Sequence, residues 1–220
     1  AIHSDREAHA ARAYTSMRAL SRSRGSRGDP PSTAQLQALL ASGKLTKAVV
    51  SRVFCSESPP PIVEVKDMSQ AYTIQSPPLA SGQMSTVYRA TRAQSGERVT
   101  LKLLKLTALA KSERALLKAT GEIAALRLVP PHPHLVRLYE LACSPTQCAL
   151  VLDASDKDLL SLLEAAGGRL SEVDAAILFR QVVGALAHLH ANGWAHRDFK
   201  PEHVSVSEAH GGLHTRLVDF

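Results

Sequence analysis

HRDFKPEHV, the run at residues 196–204, places Asp198 directly after a histidine and an arginine and two positions before Lys200. Pro201 fixes the backbone just after that lysine. Such a loop suits the transfer of an anionic group, because a carboxylate can orient a hydroxyl while nearby cations hold the anion. A surface turn that happens to be rich in charge is the alternative, because short motifs also match by accident. The rest of the sequence has to discriminate between the two.

Length and composition limit the class of protein. The chain has 220 residues, of which 45% are hydrophobic and 21% charged, values typical of one or two soluble globular domains. No apolar run approaches the length of a helix that spans a bilayer. The three cysteines, Cys55, Cys143 and Cys148, match no zinc-binding spacing, and their odd number favours the cytoplasm or another reducing intracellular compartment.

The positive charge is concentrated at the start of the chain. The formal net charge is +6, and residues 1–31 are rich in arginine and serine. We predict a disordered tail there, and nucleic-acid binding is disfavoured because aromatic side chains for base stacking are scarce. An organelle transit peptide has a similar composition and stays open as an alternative. Both ends look cut, so we interpret the sequence as a fragment.

Residues 32–61 are expected to form a small helical unit followed by a break. Ser32 and Gln35 have the spacing of a capping box at the start of a helix. A second short helix is predicted after it, which makes residues 32–55 a helical hairpin. This hairpin can dock on a neighbouring domain or on a partner protein, and both alternatives stay open. The prolines at residues 59–61 then interrupt the chain.

Strands dominate residues 62–153, together with one helix over residues 109–128. The predicted strands occupy residues 71–75, 79–90, 98–104, 135–141 and 148–152. They form an antiparallel meander and not a βαβ unit, so a dinucleotide-binding fold is disfavoured.

Residues 154–220 are predicted to be mostly helical. Helices are expected over residues 157–166 and 171–192, the second of them capped by Ser171. The stripe of this second helix that is expected to be buried consists of Ala176, Phe179, Val182, Val183, Leu186 and Leu189. Five antiparallel strands with one helix, followed by a helical part, predict an α+β fold with two lobes.

With the elements in this order, residues 196–203 resemble the catalytic loop H-R-D-x-K-P-E-N of eukaryotic-type Ser/Thr protein kinases, with His203 in place of the asparagine. The resemblance covers residues 72–220. It implies a protein-kinase-like two-lobed fold, with a five-stranded antiparallel sheet and one helix (αC) in the N-lobe and a partial helical C-lobe. It also implies transfer of the γ-phosphoryl group of ATP to Ser or Thr hydroxyls of a protein substrate.

The resemblance also assigns the residues that bind ATP. Residues 80–87 (ASGQMSTV) resemble the glycine-rich loop that covers the phosphates, and VTLK at residues 99–102 resembles the strand whose lysine holds them. Glu122 stands where the carboxylate partner of that lysine is expected, and residues 150–153 (LVLD) resemble the hinge that binds adenine. The ATP-binding residues implied in this way are Leu79, Ala80, Gly82, Ser85, Val87, Thr100, Lys102, Glu122, Leu152 and Asp153.

By the same resemblance, Asp198 orients the substrate hydroxyl, Lys200 neutralises the phosphoryl group and Asp219 binds Mg²⁺. His203 replaces the second metal-binding residue of the family, and imidazole nitrogen is a poorer partner for Mg²⁺. This replacement and the loss of glycines from the loop motivate an alternative function, a pseudokinase that binds nucleotide or acts as a scaffold. Residues 205–217 are interpreted as a small insertion that extends a loop.

Overall fold

The computed structural model describes residues 32–42, 46–54, 61–209 and 212–220. The chain divides into two compact units. The first ends at Arg127 and takes up the chain again over Leu138–Leu152, and the second comprises Leu128–Arg137 and Asp153–Phe220. The predicted tail at residues 1–31 and the cysteine at position 55 lie outside the described residues.

The first unit is built around a mixed sheet. Its elements, in chain order, are α1 (Thr33–Ala41), α2 (Lys47–Phe54), β1 (Ile62–Glu64), α3 (Met68–Ala71), β2 (Tyr72–Ile74), β3 (Ala80–Ser81), β4 (Ser85–Arg92), β5 (Arg98–Leu104), α4 (Leu106–Lys111), α5 (Glu113–Leu128), β6 (Leu138–Cys143) and β7 (Cys148–Asp153). The strands follow the order β1-β6-β7-β5-β4-β2, and the short β3 pairs with β4. The predicted α+β fold with five main strands is confirmed.

In the first unit, β1 is a strand that the sequence did not predict. It runs parallel to β6, with Ile62 opposite Leu141. Three residues are too few to display a period of two, and their pairing partner lies far along the chain, so no local signal marks this edge strand.

Side chains along each strand alternate between the two faces of the sheet, and apolar side chains on one face form the core of the first unit. Val99 and Leu101 lie two residues apart on β5 and therefore share one face of the sheet. The buried cluster on this sheet consists of Met68, Tyr72, Ala90, Val99, Leu101, Ala142, Ala149 and Val151. The Tyr72 hydroxyl donates a 2.6 Å hydrogen bond to Glu140, and burial together with that carboxylate raises the pKa of the tyrosine.

The capping box at the start of α1 is confirmed. Ser32 Oγ accepts a hydrogen bond from the Gln35 backbone N–H at 3.3 Å, and Gln35 Oε1 accepts one from the Ser32 N–H at 2.7 Å. α1 packs against α4 of the same unit and buries Leu36 and Leu40. The hairpin therefore docks within its own chain, whereas a role in binding a partner protein stays a prediction.

One predicted helix is interrupted. The helix expected over residues 109–128 is divided into α4 and α5 at Ser112, whose backbone is extended. Its hydroxyl accepts a hydrogen bond from the Ala115 N–H at 3.2 Å, which satisfies a free donor at the start of α5. A serine that caps one helix ends the preceding one.

The second unit combines helices with a small sheet. Its elements are β8 (Lys157–Asp158), α6 (Leu159–Ala165), α7 (Glu172–Ala191), a 3-10 turn (Pro201–His203), β9 (Val204–Ala209) and β10 (Gly212–Leu217). The sheet order is β10-β9-β8, with antiparallel pairing. β9 and β10 thus pair as antiparallel strands, and the interpretation of residues 205–217 as a loop extension was wrong. Val204 and Val206 alternate into the core, which is the period-two signal of a strand.

The buried face of α7 differs from the predicted one. Ser171 caps the helix as predicted, by accepting a 3.0 Å hydrogen bond from the Asp174 N–H. The side chains that α7 buries are Leu178, Val182, Ala185 and Leu189. The prediction was wrong for Ala176, Phe179 and Val183, which are exposed. α7 packs one face against β10, so apolar residues on its other faces stay in solvent. Neither α7 nor another helix in the described part is long and apolar enough to cross a membrane.

Candidate active site

A largely buried ion pair joins β5 and α5 in the predicted site of the first unit. Lys102 Nζ donates to Glu122 Oε1 at 2.6 Å, and the two side chains are only 9% and 13% exposed. Thr100 lies two residues before the lysine on the same buried face of β5. Three residues predicted to bind nucleotide are thus placed by one strand and one helix, and the predicted Lys102–Glu122 pair is formed.

The predicted phosphate loop is a tight hairpin. Ala80 pairs with Val87, and the Leu79 N–H donates to the Val87 carbonyl at 2.8 Å. The Gly82 N–H donates to the Ser85 carbonyl at 2.9 Å. A Cβ on Gly82 would find its nearest neighbour, the Ser85 carbonyl oxygen, at an ordinary 3.8 Å. Packing therefore does not require a glycine here, and close approach of a ligand is the reason that the family resemblance offers.

Lys105 contacts this loop, and the sequence analysis did not assign it. Its Nζ donates to the Gly82 carbonyl at 2.6 Å, and its backbone N–H donates to the Met84 carbonyl at 2.8 Å. The lysine follows the end of β5 and places a positive charge at the tip of the loop. The sequence shows only that Lys105 follows Lys102 by three residues. Its contact with the loop at residues 80–87 cannot be inferred from that spacing.

The two predicted hinge residues have different surroundings. Leu152 is buried in β7, opposite Leu138. The Asp153 carboxylate accepts a hydrogen bond from the Arg137 N–H at 2.8 Å and lies 3.3 Å from the Arg216 guanidinium. The Asp153 N–H also donates to the Arg137 carbonyl, at 3.2 Å. The side chain of Asp153 thus joins Arg137 and Arg216 within the second unit.

In the second unit, residues 196–200 form a constrained loop. Arg197 has a positive φ of 63°, and the Asp198 N–H donates to the His196 carbonyl at 2.8 Å. A non-glycine residue in this region is strained, and such strain is concentrated at functional sites. The turn leaves the Asp198 side chain 44% exposed, so the carboxylate is accessible from solvent. Lys200 Nζ lies 3.9 Å from the Glu202 carboxylate.

His203 lies beside both predicted acidic residues. Its Nδ1 is 2.8 Å from the Asp198 carbonyl oxygen and 3.7 Å from Asp198 Oδ2. Its Nε2 is 3.6 Å from Asp219 Oδ2. Asp219 also has a positive φ, of 62°. The structure therefore brings Asp198, His203 and Asp219 together as the resemblance implies.

His196 is a positioning residue that the sequence analysis did not assign. Its ring is buried, and Nε2 lies 3.0 Å from the carbonyl oxygen of Val218, the residue before Asp219. Burial and then the neighbouring His203 lower the pKa of His196, so it is a neutral ring whose Nε2–H donates to that carbonyl. The ring connects the catalytic loop to the segment that carries Asp219, a link that appears only when the chain is folded.

The Asp219 carboxylate is a suitable ligand for Mg²⁺, whereas the neighbouring His203 imidazole is not. Mg²⁺ is typically held by one or two carboxylates together with substrate phosphates, which matches Asp219. The imidazole of His203 offers nitrogen, a donor that a hard oxygen-preferring ion binds weakly. Within the described ranges, no group of three or more His, Cys, Asp or Glu side chains is arranged to hold a metal ion by itself.

Comparison with known proteins agrees with this arrangement. The sequence profile described as "Protein kinase domain" matches residues 74–220. CBL-interacting protein kinase 20 of rice (Oryza sativa subsp. japonica) is 37% identical over 152 residues, which is 64% of this chain and 31% of the rice protein. The serine/threonine-protein kinase PkaA of Streptomyces coelicolor is 34% identical over 154 residues, 65% of this chain and 28% of that protein.

A solved structure has a similar fold. The crystal structure of Rad53 in complex with AMP-PNP matches with a TM-score of 0.55 and 24% sequence identity, over 70% of this chain and 39% of that chain. This likeness concerns the fold alone. The chain spans about a third or less of the curated relatives named above.

Proposed function

The chain belongs to the protein kinase domain family, and we propose that it serves as the ATP-binding and catalytic part of a kinase that phosphorylates Ser or Thr hydroxyls of proteins. The observation that carries the proposal is the buried 2.6 Å pair of Lys102 and Glu122. A buried ammonium ion needs a partner, and a carboxylate that holds it in place also aims it for nucleotide phosphates.

Each predicted catalytic residue has a defined task in this proposal. Lys102 binds the α- and β-phosphates, and the backbone of the loop at residues 80–87 covers them. Asp198 accepts or orients the proton of the substrate hydroxyl, and Lys200 neutralises charge on the transferred group. A divalent cation at Asp219 would supply further charge neutralisation for the phosphates. The specificity for Ser and Thr is supported by Lys200, two positions after Asp198, and by the name of the Streptomyces relative.

A pseudokinase is the second candidate function, and His203 is the observation that favours it. The imidazole lies against Asp198 and Asp219, where the family has an amide oxygen for a metal ion. A chain that lost this oxygen can keep its nucleotide site while phosphoryl transfer slows. A reducing compartment such as the cytoplasm suits either function, because Cys143 and Cys148 are buried and free.

The test is phosphoryl transfer by the full-length protein from labelled ATP to a mixture of protein substrates, followed by phosphoamino-acid analysis. Label on Ser and Thr is the expected result, and label on Tyr alone would contradict the proposal. The same assay with His203→Asn separates the two candidates. Transfer that appears only in this variant identifies the parent protein as a pseudokinase.

A further inference from the structure

We infer that Cys143 and Cys148 form a dithiol that peroxide oxidises to a disulfide, and that this disulfide staples β6 to β7. Both thiols are free in the structure, which therefore represents the reduced form. Both residues belong to the first unit, and the inference does not depend on the proposed kinase activity. It assigns a modification site to two core residues that phosphoryl transfer does not use.

The two sulfur atoms are already in contact. Cys143 stands directly opposite Cys148 in the antiparallel pairing of β6 with β7, and their Sγ atoms are 3.1 Å apart. Directly opposite residues on one face of an antiparallel pair are the closest side-chain neighbours that a sheet provides. Strand register therefore holds the two thiols together.

The backbone hydrogen bonds show which kind of cross-strand pair the cysteines form. The Ser144 N–H donates to the Gln147 carbonyl at 2.8 Å, so a hydrogen bond joins the residues next to the turn. The Cys143 carbonyl instead accepts from the N–H of Val65, which follows β1 on the side of β6 away from β7. Cys143 and Cys148 are therefore a non-hydrogen-bonded pair, in which the Cα atoms lie about 4.5 Å apart. A disulfide needs a Cα separation of about 4.4–6.8 Å, so rotation of the two side chains is enough to close it.

The oxidation balances with hydrogen peroxide as the oxidant. The sulfur of one cysteine attacks a peroxide oxygen, the O–O bond breaks, and one water leaves with the thiol proton. The second sulfur then attacks the resulting sulfenic acid. An S–S bond forms, the S–O bond breaks, and a second water leaves with the second thiol proton. The two sulfurs lose two electrons in total, and one peroxide molecule is reduced to two waters.

Burial determines how the pair reacts. Cys143 and Cys148 are 3% and 0% exposed, and the hydrogen bond between them, followed by burial, raises the pKa of Cys148. A buried, protonated thiol reacts slowly, so the first oxidation waits for the hairpin to open near the exposed residues 145–147. Once one sulfur is oxidised, the other is its nearest nucleophile. The second step is therefore fast, and the disulfide forms before either sulfur is oxidised further.

The first experiment maps the oxidation product in the native protein. The full-length protein is exposed to hydrogen peroxide, catalase removes the excess, and free thiols are alkylated in denaturant before digestion with trypsin. Trypsin releases residues 138–157 as one peptide, because no lysine or arginine lies between Arg137 and Lys157. We expect this peptide to be lighter by two hydrogen atoms than its reduced, unalkylated form, and dithiothreitol should restore both thiols. Cys148→Ser should abolish the product, whereas Cys55→Ser is the matched control and should leave its yield unchanged.

The second experiment tests the staple itself by hydrogen exchange. A disulfide restrains opening of the hairpin, so backbone amides of Leu138–Leu152 should exchange at least about threefold more slowly after oxidation. The same treatment should leave exchange unchanged in Cys148→Ser and in Cys148→Ala, which both lack the second sulfur. Thermal unfolding identifies a variant that fails to fold, and the other variant then provides the comparison.

Three results would overturn the inference. The first is recovery of residues 138–157 with both thiols alkylated, or with a sulfinic acid at either cysteine. The second is a bridge from Cys143 or Cys148 to Cys55 in place of the bridge between them. The third is a disulfide that leaves hydrogen exchange over Leu138–Leu152 unchanged, because β6 and β7 would then gain nothing from the bond.

Discussion

At the scale of single residues, the Lys102–Glu122 pair serves the fold and also lies in the proposed nucleotide site. Both side chains are largely buried, and the amino group and the carboxylate are 2.6 Å apart. A charge in such a place is tolerated because the opposite charge is present. The pair therefore orders β5 relative to α5 and at the same time presents the ammonium ion that the family uses for phosphates.

Replacing Glu122 by Gln should lower both stability and nucleotide affinity. The Lys102 ammonium would keep its burial and lose its countercharge, for which we expect a cost of about 3 kcal/mol in the free energy of unfolding. Chemical denaturation and AMP-PNP titration measure the two effects. Glu113→Gln, at an exposed position in the first turn of the same helix, is the control and should change stability by less than about 0.5 kcal/mol. Equal effects of the two substitutions would refute the importance of the pair.

The residues of the site could be predicted from the sequence only where a motif fixes them. Lys102, Asp198 and Asp219 stand in runs whose order and spacing are specific to the family. Lys105 and His196 could not be assigned, because each forms a hydrogen bond with a backbone carbonyl oxygen that is distant in sequence. Contacts of this kind depend on strand register and on loop geometry, which no local pattern encodes.

At the scale of elements, α1, the first helix of the hairpin, contacts α4, and α4 directly precedes α5, the helix that carries Glu122. α1 packs against α4, and only Ser112 separates α4 from α5. Leu36 and Leu109 are each completely buried on these helices. The hairpin thus belongs to the first unit structurally, and its removal should loosen the helix that carries the carboxylate.

Leu36→Ala should destabilise the first unit. Removal of a fully buried leucine side chain typically costs about 2–5 kcal/mol, because transfer energy is lost and a cavity remains. The midpoint of denaturant unfolding measures the change. Ala38→Ser, at an exposed position of the same helix, should have little effect. An unfolding midpoint that is unchanged by Leu36→Ala would show that α1 does not dock on the unit in solution.

Helices and strands could be predicted from the sequence where their own hydrophobic residues repeat with helical or strand spacing. β4, β5 and α7 are long enough for alternation or helical spacing to be visible. β1 and the β9–β10 pair depend on partners elsewhere in the chain, and the capping by Ser112 competes with a continuous helical pattern. The exposed Phe179 shows a further limit, because a helix that is apolar on more than one face does not reveal which face is packed.

At the scale of the whole molecule, a group of histidines makes stability depend on pH. His132 stacks on His188 with ring centroids 4.8 Å apart, and it accepts a 3.2 Å hydrogen bond at Nδ1 from the His134 N–H. Burial, followed by the charges of His188 and His134, lowers the pKa of His132. Protonation at Nδ1 would also break the hydrogen bond to His134.

Because the pKa of His132 is lower in the folded chain than in the unfolded one, the unfolded state binds more protons as the pH falls. The stabilisation is complete above about pH 6.5, the ordinary value for histidine, and is lost as the pH falls below it. We expect a lower unfolding midpoint at about pH 5.5 than at about pH 7.5. His132→Asn should reduce the difference, and His190→Asn should not. A pH dependence identical in all three proteins would contradict this account.

The measurement that tests the central claim most directly is the rate of phosphoryl transfer by the full-length protein and by its Asp198→Asn variant, with nucleotide affinity measured on both. Asn keeps the size of the side chain and removes the base, so we predict equal AMP-PNP binding and a transfer rate lower by about 10²–10⁴. The assay is run with Mg²⁺ and with Mn²⁺. Transfer at the same rate in both proteins would contradict the catalytic role of Asp198, and a parent protein without transfer in either ion would contradict the kinase account.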